Sequence, residues 1–364
     1  MSNKIAFYIP DLGGGGAQRV MVTLANEFAN KGLDVDLVVA SFEGPYCSDI
    51  NEDVRVVDLK ASRAIRSLPG LTRYLRRERP DVILSTLMYA NVIMAFAHIF
   101  SGCSGLFVVR QPNSIRLKEK VKSLKGLITI FLTLIFYFYA DKIIGISRGV
   151  SGEVRRILGM PIEKIETIHN PAFNHNINKL KSSQPDGLRK DRQYILAVGR
   201  LMPQKDFSTL LRAFARVRES RPEMQLIILG EGDERGRLVR EARNLDIIEA
   251  VRMPGFIDNP FGYMNEADVF VLSSRWEGFG NVLVEAMACG TPVVSTDCPS
   301  GPNEILQDGR FGNLVPVKDD EAMAQAILDT LDDPPVSSDR LRKRAEDFSP
   351  EKIASQYLEV LLGS

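Results

Sequence analysis

The feature that most constrains this chain is an alternation: apolar runs of strand length take turns with amphipathic runs of helix length from one end of the sequence to the other. Parallel strands need long crossover connections, so the pattern predicts parallel sheets covered by helices. Strand candidates in the first half are residues 5–9, 35–39, 54–57, 82–84, 106–109 and 143–146. A second series begins at residues 194–198 and continues at 226–229, 269–272 and 292–295. Between them, residues 173–192 are polar and lack apolar periodicity, which reads as an interdomain linker. The expectation is an α/β chain of two Rossmann-like domains, residues 1–172 and 193–348, whose parallel sheets face a central cleft. A length of 364 residues agrees with two domains at roughly 150 residues each.

Charge and cysteine usage narrow the function classes. Lys plus Arg and Asp plus Glu both total 46, so the net charge is zero, which argues against a dedicated nucleic-acid binder. The balance is uneven along the chain. Residues 1–170 hold 22 basic and 16 acidic side chains, net +6, which leaves 24 and 30, net −6, for the remainder. Cys47, Cys103, Cys289 and Cys298 are too widely spaced for a metal knuckle and too few for a disulfide framework, as expected in a reducing cytosol. The N-terminus has no signal-peptide pattern, so the protein is expected to stay in the cytoplasm. The longest apolar run, residues 127–140, has 14 residues. A spanning helix needs about 18–20.

In open α/β sheets, ligands bind at the carboxyl ends of the strands. After the first strand, Gly13-Gly14-Gly15-Gly16 leads into a helix expected over residues 20–30, a turn that lets a phosphate approach backbone at a helix N-terminus. It is neither a dinucleotide fingerprint, since Arg19 stands where the third glycine belongs, nor a Walker A loop, since no G-K-[ST] follows. In the second half, Gly199-Arg200-Leu201-Met202-Pro203-Gln204-Lys205-Asp206 offers a guanidinium fork and a point charge, the two usual ways of holding phosphate oxygens. Glu277-Gly278-Phe279-Gly280-Asn281-Val282-Leu283-Val284-Glu285 follows, with Asn281 expected as helix cap, Gly290 as helix stop and Pro292 as the start of the next strand. Eight residues apart on one helix, two glutamates would differ by about 80° and about 12 Å and would not meet. With Glu277 in the preceding loop and Glu285 in the second turn, the N–H groups of residues 280–282 point between them. A diphosphate there would place a sugar toward Glu277 and a ribose toward Glu285, with Arg200 and Lys205 offsetting the anions.

The E-x7-E pattern after L-S-S-R-W, the G-R-L-x-x-Q-K-D-F segment and the Gly-rich turn ending A-Q-R-V together closely resemble family 4 of the retaining glycosyltransferases, over nearly the whole chain. The resemblance implies the two-domain GT-B fold and metal-independent transfer of a sugar from a nucleotide diphosphate, with no cofactor. It implies catalytic roles for Arg200, Lys205 and Glu277. Donor binding would fall to Gly15, Gly16, Gly199, Gly230, Glu231, Phe256, Gly278, Phe279, Gly280, Asn281, Val282 and Glu285, with Gly232, Gly255 and Ile257 beside the base pocket. It also implies that a C-terminal helix, residues 349–364, packs back onto the first domain. Many members carry a histidine after the strand that here ends Val109-Arg110-Gln111-Pro112-Asn113, and this chain has none there. Arg110, Gln111 and Asn113 are the candidates for acceptor contact in its place. Of the three histidines, His98 lies on an apolar helix and is expected to pack, His169-Asn170-Pro171 resembles the family's interdomain turn and is expected to be structural rather than a base, and His175 falls in the linker.

The acceptor side is read from charge. Arg110, Arg116, Lys118, Lys120, Lys122 and Lys125 precede the aromatic run holding Phe131, Phe136, Tyr137, Phe138 and Tyr139, and Arg63, Arg66, Arg73, Arg76, Arg77 and Arg79 form a second basic cluster. A basic segment beside an aromatic stretch suits docking on an anionic membrane, and a buried crossover helix with a solvated start is the alternative. Cys298-Pro299-Ser300-Gly301-Pro302-Asn303-Glu304 resembles a segment common in bacterial polysaccharide and lipid-linked-oligosaccharide members. The reading is transfer from a nucleotide diphosphate sugar, UDP preferred over GDP, to a lipid-linked or glycan acceptor in cell-surface assembly. The alternatives are a nucleotide-sugar epimerase or phosphorylase of similar fold, or a non-catalytic partner protein.

Overall fold

The computed structural model describes residues 3–115, 124–173, 176–182, 185, 188 and 192–363. The chain divides into two compact units, one of Met1–Pro171 with Pro350–Ser364 and one of Ala172–Ser349. Both chain crossings fall beside a proline, and Phe173 N–H donates to the Phe348 carbonyl at 3.1 Å where the second unit begins and ends.

The first unit holds β1 (Lys4–Ile9), β2 (Asp34–Val39), β3 (Arg55–Asp58), β4 (Val82–Thr86), β5 (Leu106–Gln111), β6 (Lys142–Gly145) and β7 (Ile165–Thr167). Among the described residues its helices are α1 (Gly16–Asn30), α2 (Leu68–Glu78), α3 (Met88–Ser101), α4 (Leu124–Tyr139) and α5 (Arg148–Leu158), with Pro350–Leu362 at the C-terminus. The sheet is parallel throughout, in the order β3-β2-β1-β4-β5-β6-β7. The second unit has β8 (Tyr194–Val198), β9 (Gln225–Leu229), β10 (Val251–Gly255), β11 (Val269–Leu272), β12 (Val293–Thr296) and β13 (Asn313–Val315), parallel in the order β10-β9-β8-β11-β12-β13. Its helices include α6 (Ile177–Leu180), α7 (Phe207–Ser220), α8 (Arg235–Asn244), α9 (Phe261–Glu266) and α10 (Asn281–Cys289).

Three strands, β7, β10 and β13, lie beyond the expected set, and all three are sheet edges. An edge strand needs one partner and can be short or carry a proline, as Pro254 does in β10, so its apolar signal is weak. The helix expected over residues 20–30 starts four residues earlier, at Gly16. Part of the stretch read as a linker is structured: α6 lies within it, Ile177 is buried, and Asn259 Nδ2 donates to the Leu180 carbonyl at 3.0 Å.

The core of the first unit depends on the far end of the chain. Ile353, Ala354, Tyr357 and Leu361 of the C-terminal helix share one cluster with Ile5, Phe7, Leu24 and Phe28, where Phe7 and Phe28 meet edge to face at 5.4 Å. Arg110, expected at the acceptor, is instead fully buried here. Its Nε donates to Tyr357 Oη at 3.1 Å, Nη1 to Thr86 Oγ1 at 3.1 Å and Nη2 to Asn170 Oδ1 at 2.6 Å. A guanidinium is tolerated inside only when its donors are satisfied, and these bonds tie β4, β5, the segment after β7 and the C-terminal helix together. Gln111 is likewise inward: its amide donates to the Asn113 carbonyl and its oxygen accepts from Tyr137, whose hydroxyl also takes Asn91 Nδ2 at 3.0 Å. His98 packs as expected, with Nδ1 at 2.8 Å from Tyr139 Oη and Nε2 at 3.1 Å from the Gly105 carbonyl, and burial pushes its pKa below the ordinary value.

Removing one acceptor of the Arg110 knot should leave a buried charged donor unpaired. Tyr357→Phe is expected to lower the stability of the first unit by about 1–3 kcal/mol, read as an earlier urea transition. An unchanged midpoint would show that the Tyr357 hydroxyl contributes nothing to holding the C-terminal helix.

Candidate active site

The strand order reverses between β1 and β4 in the first unit and between β8 and β11 in the second. At such a switch point the two following loops run to opposite faces and leave room at the carboxyl ends of the strands. In the second unit those loops are residues 199–206 and 273–280, and they are stitched together. Ser273 Oγ donates to the Lys205 carbonyl at 2.7 Å, Arg275 N–H to the Gln204 carbonyl at 2.8 Å and Gln204 Nε2 to the Trp276 carbonyl at 2.9 Å. Glycine is required where the next loop crosses: at Gly230, φ is +138° and a Cβ would stand 2.0 Å from the Gly199 carbonyl oxygen.

The charged residues converge on this seam. Lys205 Nζ lies 2.5 Å from Glu277 Oε1, and Ser274 Oγ donates to the same oxygen at 2.7 Å. Glu277 is 7% exposed, so its charge is compensated from within the loop pair rather than by bulk water. Arg200 is exposed and has no ion-pair partner among the described residues. Asp206 adopts a left-handed φ of +47° and turns its carboxylate inward, where Oδ2 accepts from Thr209 Oγ1 at 2.9 Å and Oδ1 from Arg275 Nη2 at 2.7 Å. This sets the backbone immediately after Lys205.

Helix α10 starts where the seam ends. Its cap is Gly280, at a φ of +103°, and Asn281 is the first helical residue rather than the cap. The left-handed turn favours glycine over asparagine at that position. Gly278 and Phe279 are buried, with the Phe279 ring 5.3 Å from that of Phe348, while Asn281 and Val282 are half-buried at the helix mouth. Leu283 N–H donates to the Gly280 carbonyl at 2.9 Å as the first turn closes, and the aligned peptide dipoles make this mouth electropositive. Glu285 sits in the second turn and is buried. Gly290 ends the helix at a φ of +88° as expected, and β12 starts at Val293, one residue after Pro292. Cys298 is buried near Glu277, and burial, reinforced by the Glu277 charge, pushes its thiol up to about 12. It is unreactive in that state.

The loops after β9 and β10 border the same end of the sheet. Gly230 N–H donates to the Gly255 carbonyl at 2.8 Å and Leu201 N–H to the Glu231 carbonyl at 2.9 Å, while the Glu231 side chain pairs with Arg235 at 2.9 Å. Phe256 stands 73% exposed at the rim. The structure therefore brings Gly199, Arg200, Lys205, Gly230, Glu231, Phe256, Glu277 and the α10 mouth to one end of one sheet.

Gly15 and Gly16 belong to the first unit, as cap and first residue of α1. The turn before them is shaped by Asp11, whose Oδ1 accepts from Gly13 N–H at 2.9 Å and Gln18 Nε2 at 3.2 Å. Of the three acceptor candidates only Asn113 is exposed, Arg110 and Gln111 being spent inside the unit. In the first basic cluster, Arg116, Lys118, Lys120 and Lys122 lie outside the described residues, as does His175, and Lys125 is placed on α4 by its backbone only. The six arginines of the second cluster are all exposed. Sequence reasoning missed Ser273, Ser274 and Asp206 as supports of the charged pair. The signal was the L-S-S-R-W segment itself, read as a motif without asking what its hydroxyls bind.

Residues 14–172 match the family described as Glycosyltransferase Family 4, and residues 178–348 match Glycosyl transferases group 1. An N-acetylgalactosamine-N,N'-diacetylbacillosaminyl-diphospho-undecaprenol 4-alpha-N-acetylgalactosaminyltransferase of Campylobacter jejuni is 32% identical over 99% of this chain and 100% of its own length. A lipopolysaccharide core biosynthesis glycosyltransferase of Rhizobium meliloti, LpsE, is 30% identical over 95% of this chain and 96% of its own. Among solved structures, Anabaena HepE in complex with UDP superposes with a TM-score of 0.81 at 21% identity, covering 99% of this chain and 100% of HepE. The fold is thus GT-B, and the chain belongs to the family 4, group 1 glycosyltransferases.

Proposed function

We propose that this glycosyltransferase moves a sugar from a UDP-sugar, with retention and without a metal, to a membrane-associated, lipid-linked glycan acceptor in cell-surface polysaccharide assembly. The observation that carries the reading is the convergence of Arg200, Lys205 and the α10 N-terminus beside the buried Glu277 carboxylate. Cleaving a sugar from a diphosphate builds negative charge on the departing oxygen, and fixed cations and aligned N–H groups stabilise it where it forms. Retention needs no positioned water, because the acceptor hydroxyl can enter on the face the phosphate leaves and pass its proton to the phosphate oxygen. Glu277 then accepts the hydroxyls of the donor sugar, and Glu285 those of the ribose. The UDP preference is supported by HepE, crystallised with UDP, and the lipid-linked acceptor by the name of the Campylobacter relative, which also makes an N-acetylhexosamine the first donor to try.

The membrane part of the reading rests on α4. No helix among the described residues is long and apolar enough to cross a membrane. Yet α4 is apolar on two sides: Phe136 and Tyr137 face inward, while Phe131, Ile135 and Phe138 are 62%, 45% and 51% exposed at helical spacing. Ile99 and Phe100 at the end of α3 are exposed as well. Cations stand at its border, with Arg76 Nη2 at 2.8 Å from the Phe100 carbonyl and Lys164 Nζ at 3.4 Å from that of Phe138. An apolar face rimmed by cations suits the headgroup region of an anionic bilayer.

A thermal-shift panel of UDP, GDP, ADP and their sugars should single out UDP ligands, since a ligand raises the melting temperature by mass action. Release of UDP only with lipid acceptor present supports transfer. Release of an isomerised donor would indicate an epimerase, and no turnover with any donor a non-catalytic protein. Arg200→Ala and Lys205→Ala should each slow transfer by about 10²-fold or more with the fold intact, and chelators should leave the rate unchanged. Near-normal turnover in both variants would sink the assignment. Glu285→Ala should mainly weaken UDP binding in calorimetry. Replacing Phe131, Ile135 and Phe138 together by Ser should abolish flotation with anionic vesicles at unchanged melting temperature. Retained flotation would remove α4 from the docking face.

A further inference from the structure

Glu277 has two holders of different kinds. Lys205 is a ligand-competent cation, 2.5 Å from Oε1, whereas Ser274 is a fully buried hydroxyl 2.7 Å from the same oxygen. The Ser274 backbone is itself pinned, its carbonyl accepting from Thr296 Oγ1 at 2.5 Å. Gln204 Nε2 lies 3.5 Å from Glu277 Oε2, at the outer limit of hydrogen bonding, and makes its shorter bond to the Trp276 carbonyl. The ammonium of Lys205 is thus paired with Glu277. A donor diphosphate arriving at Lys205 competes for that same ammonium. When the exchange happens, a buried carboxylate loses its cation, and an unpaired buried charge is costly unless other donors remain on it. Of the donors among the described residues, the Ser274 hydroxyl keeps the short bond to the carboxylate, while Gln204 Nε2 stays at 3.5 Å.

We propose that Ser274 is a positioning residue: it keeps the Glu277 carboxylate aimed while Lys205 transfers from Glu277 to the donor diphosphate. The proposal rests on the donor-site reading given above. The ion pair and the donor-bound site are then two arrangements linked by one charge exchange, in which Lys205 changes partner and Glu277 does not change place. Ser274 acts through Glu277 and touches no substrate. The carboxylate freed of Lys205 has its accepting capacity available to sugar hydroxyls.

The test compares ligands that do and do not reach Glu277. UDP alone engages Lys205 but carries no sugar, whereas the UDP-sugar selected by the thermal-shift panel engages both. In Ser274→Ala, kcat for transfer is expected to fall by about 10- to 100-fold, the usual consequence of a misplaced reacting constellation. The Kd for UDP should change by less than about threefold, because the diphosphate contacts are untouched. Glu277→Gln should lose at least as much kcat, and Ser274→Ala with Glu277→Gln no more than Glu277→Gln alone, as for two residues acting through one interaction. Normal kcat in Ser274→Ala beside a slow Glu277→Gln overturns the positioning role and leaves the donor site standing. A UDP Kd that weakens in step with kcat assigns Ser274 to holding the loop together and also overturns it. Normal kcat in Glu277→Gln overturns the donor-site reading itself.

Discussion

In a parallel sheet whose strand order reverses, two central neighbours send their chains to opposite faces, and the ends of those strands stay open. That constraint places the candidate site of this protein. β8 and β11 are neighbours, with Val269 opposite Ile195 and Phe270 opposite Leu196, although 74 residues separate each pair along the chain. The loops leaving them therefore lie side by side, and Lys205 and Glu277 meet because of it. The glycines at 199 and 230 serve the same arrangement, since a side chain at 230 would collide with the neighbouring loop. In the first unit the same reversal between β1 and β4 sets the Gly-rich turn at a strand end.

The electrostatics of the seam follow from burial. A carboxylate and an ammonium each lose hydration there, and each is tolerated because the other, or a buried hydroxyl, replaces the water. The second half of the chain is acidic by net count, yet the seam gathers Arg200, Lys205 and a helix mouth around its carboxylates. Net charge describes the outer surface, whereas the site is decided by a few groups within hydrogen-bond reach of one another. Arg110 makes the same point in the opposite direction. It is a cation from the basic half, and every contact it makes is internal.

How much was legible in advance depended on the range of the interaction. Central strands are buried on both faces and announce themselves as apolar runs, so β1, β2, β4, β5, β6, β8, β9, β11 and β12 were readable, while of the four edge strands β3 was readable and β7, β10 and β13 were not. Gly290 ends its helix by a local backbone preference, and that was readable too. Asn281 was misassigned as a cap because the competing choice, a left-handed glycine one residue earlier, is made by how the loop enters the helix. The motif residues Arg200, Lys205, Glu277 and Glu285 were found by type and spacing. Their supports, Ser274, Asp206 and Thr296, were not, because a serine or aspartate beside a loop looks the same whether it faces water or a carboxylate.

The sequence by itself determined the alternation of strands and helices, the division into two series and the identity of the charged residues, because these rest on periodicity and residue chemistry that neighbours along the chain already express. Only the tertiary structure decided which charges are partners and which are spent. Arg110 is held by Tyr357, 247 residues away, and Glu277 by Lys205, 72 residues away. Burial and hydrogen-bond satisfaction are properties of what surrounds a side chain in space, and strand order, which no local pattern encodes, sets those surroundings.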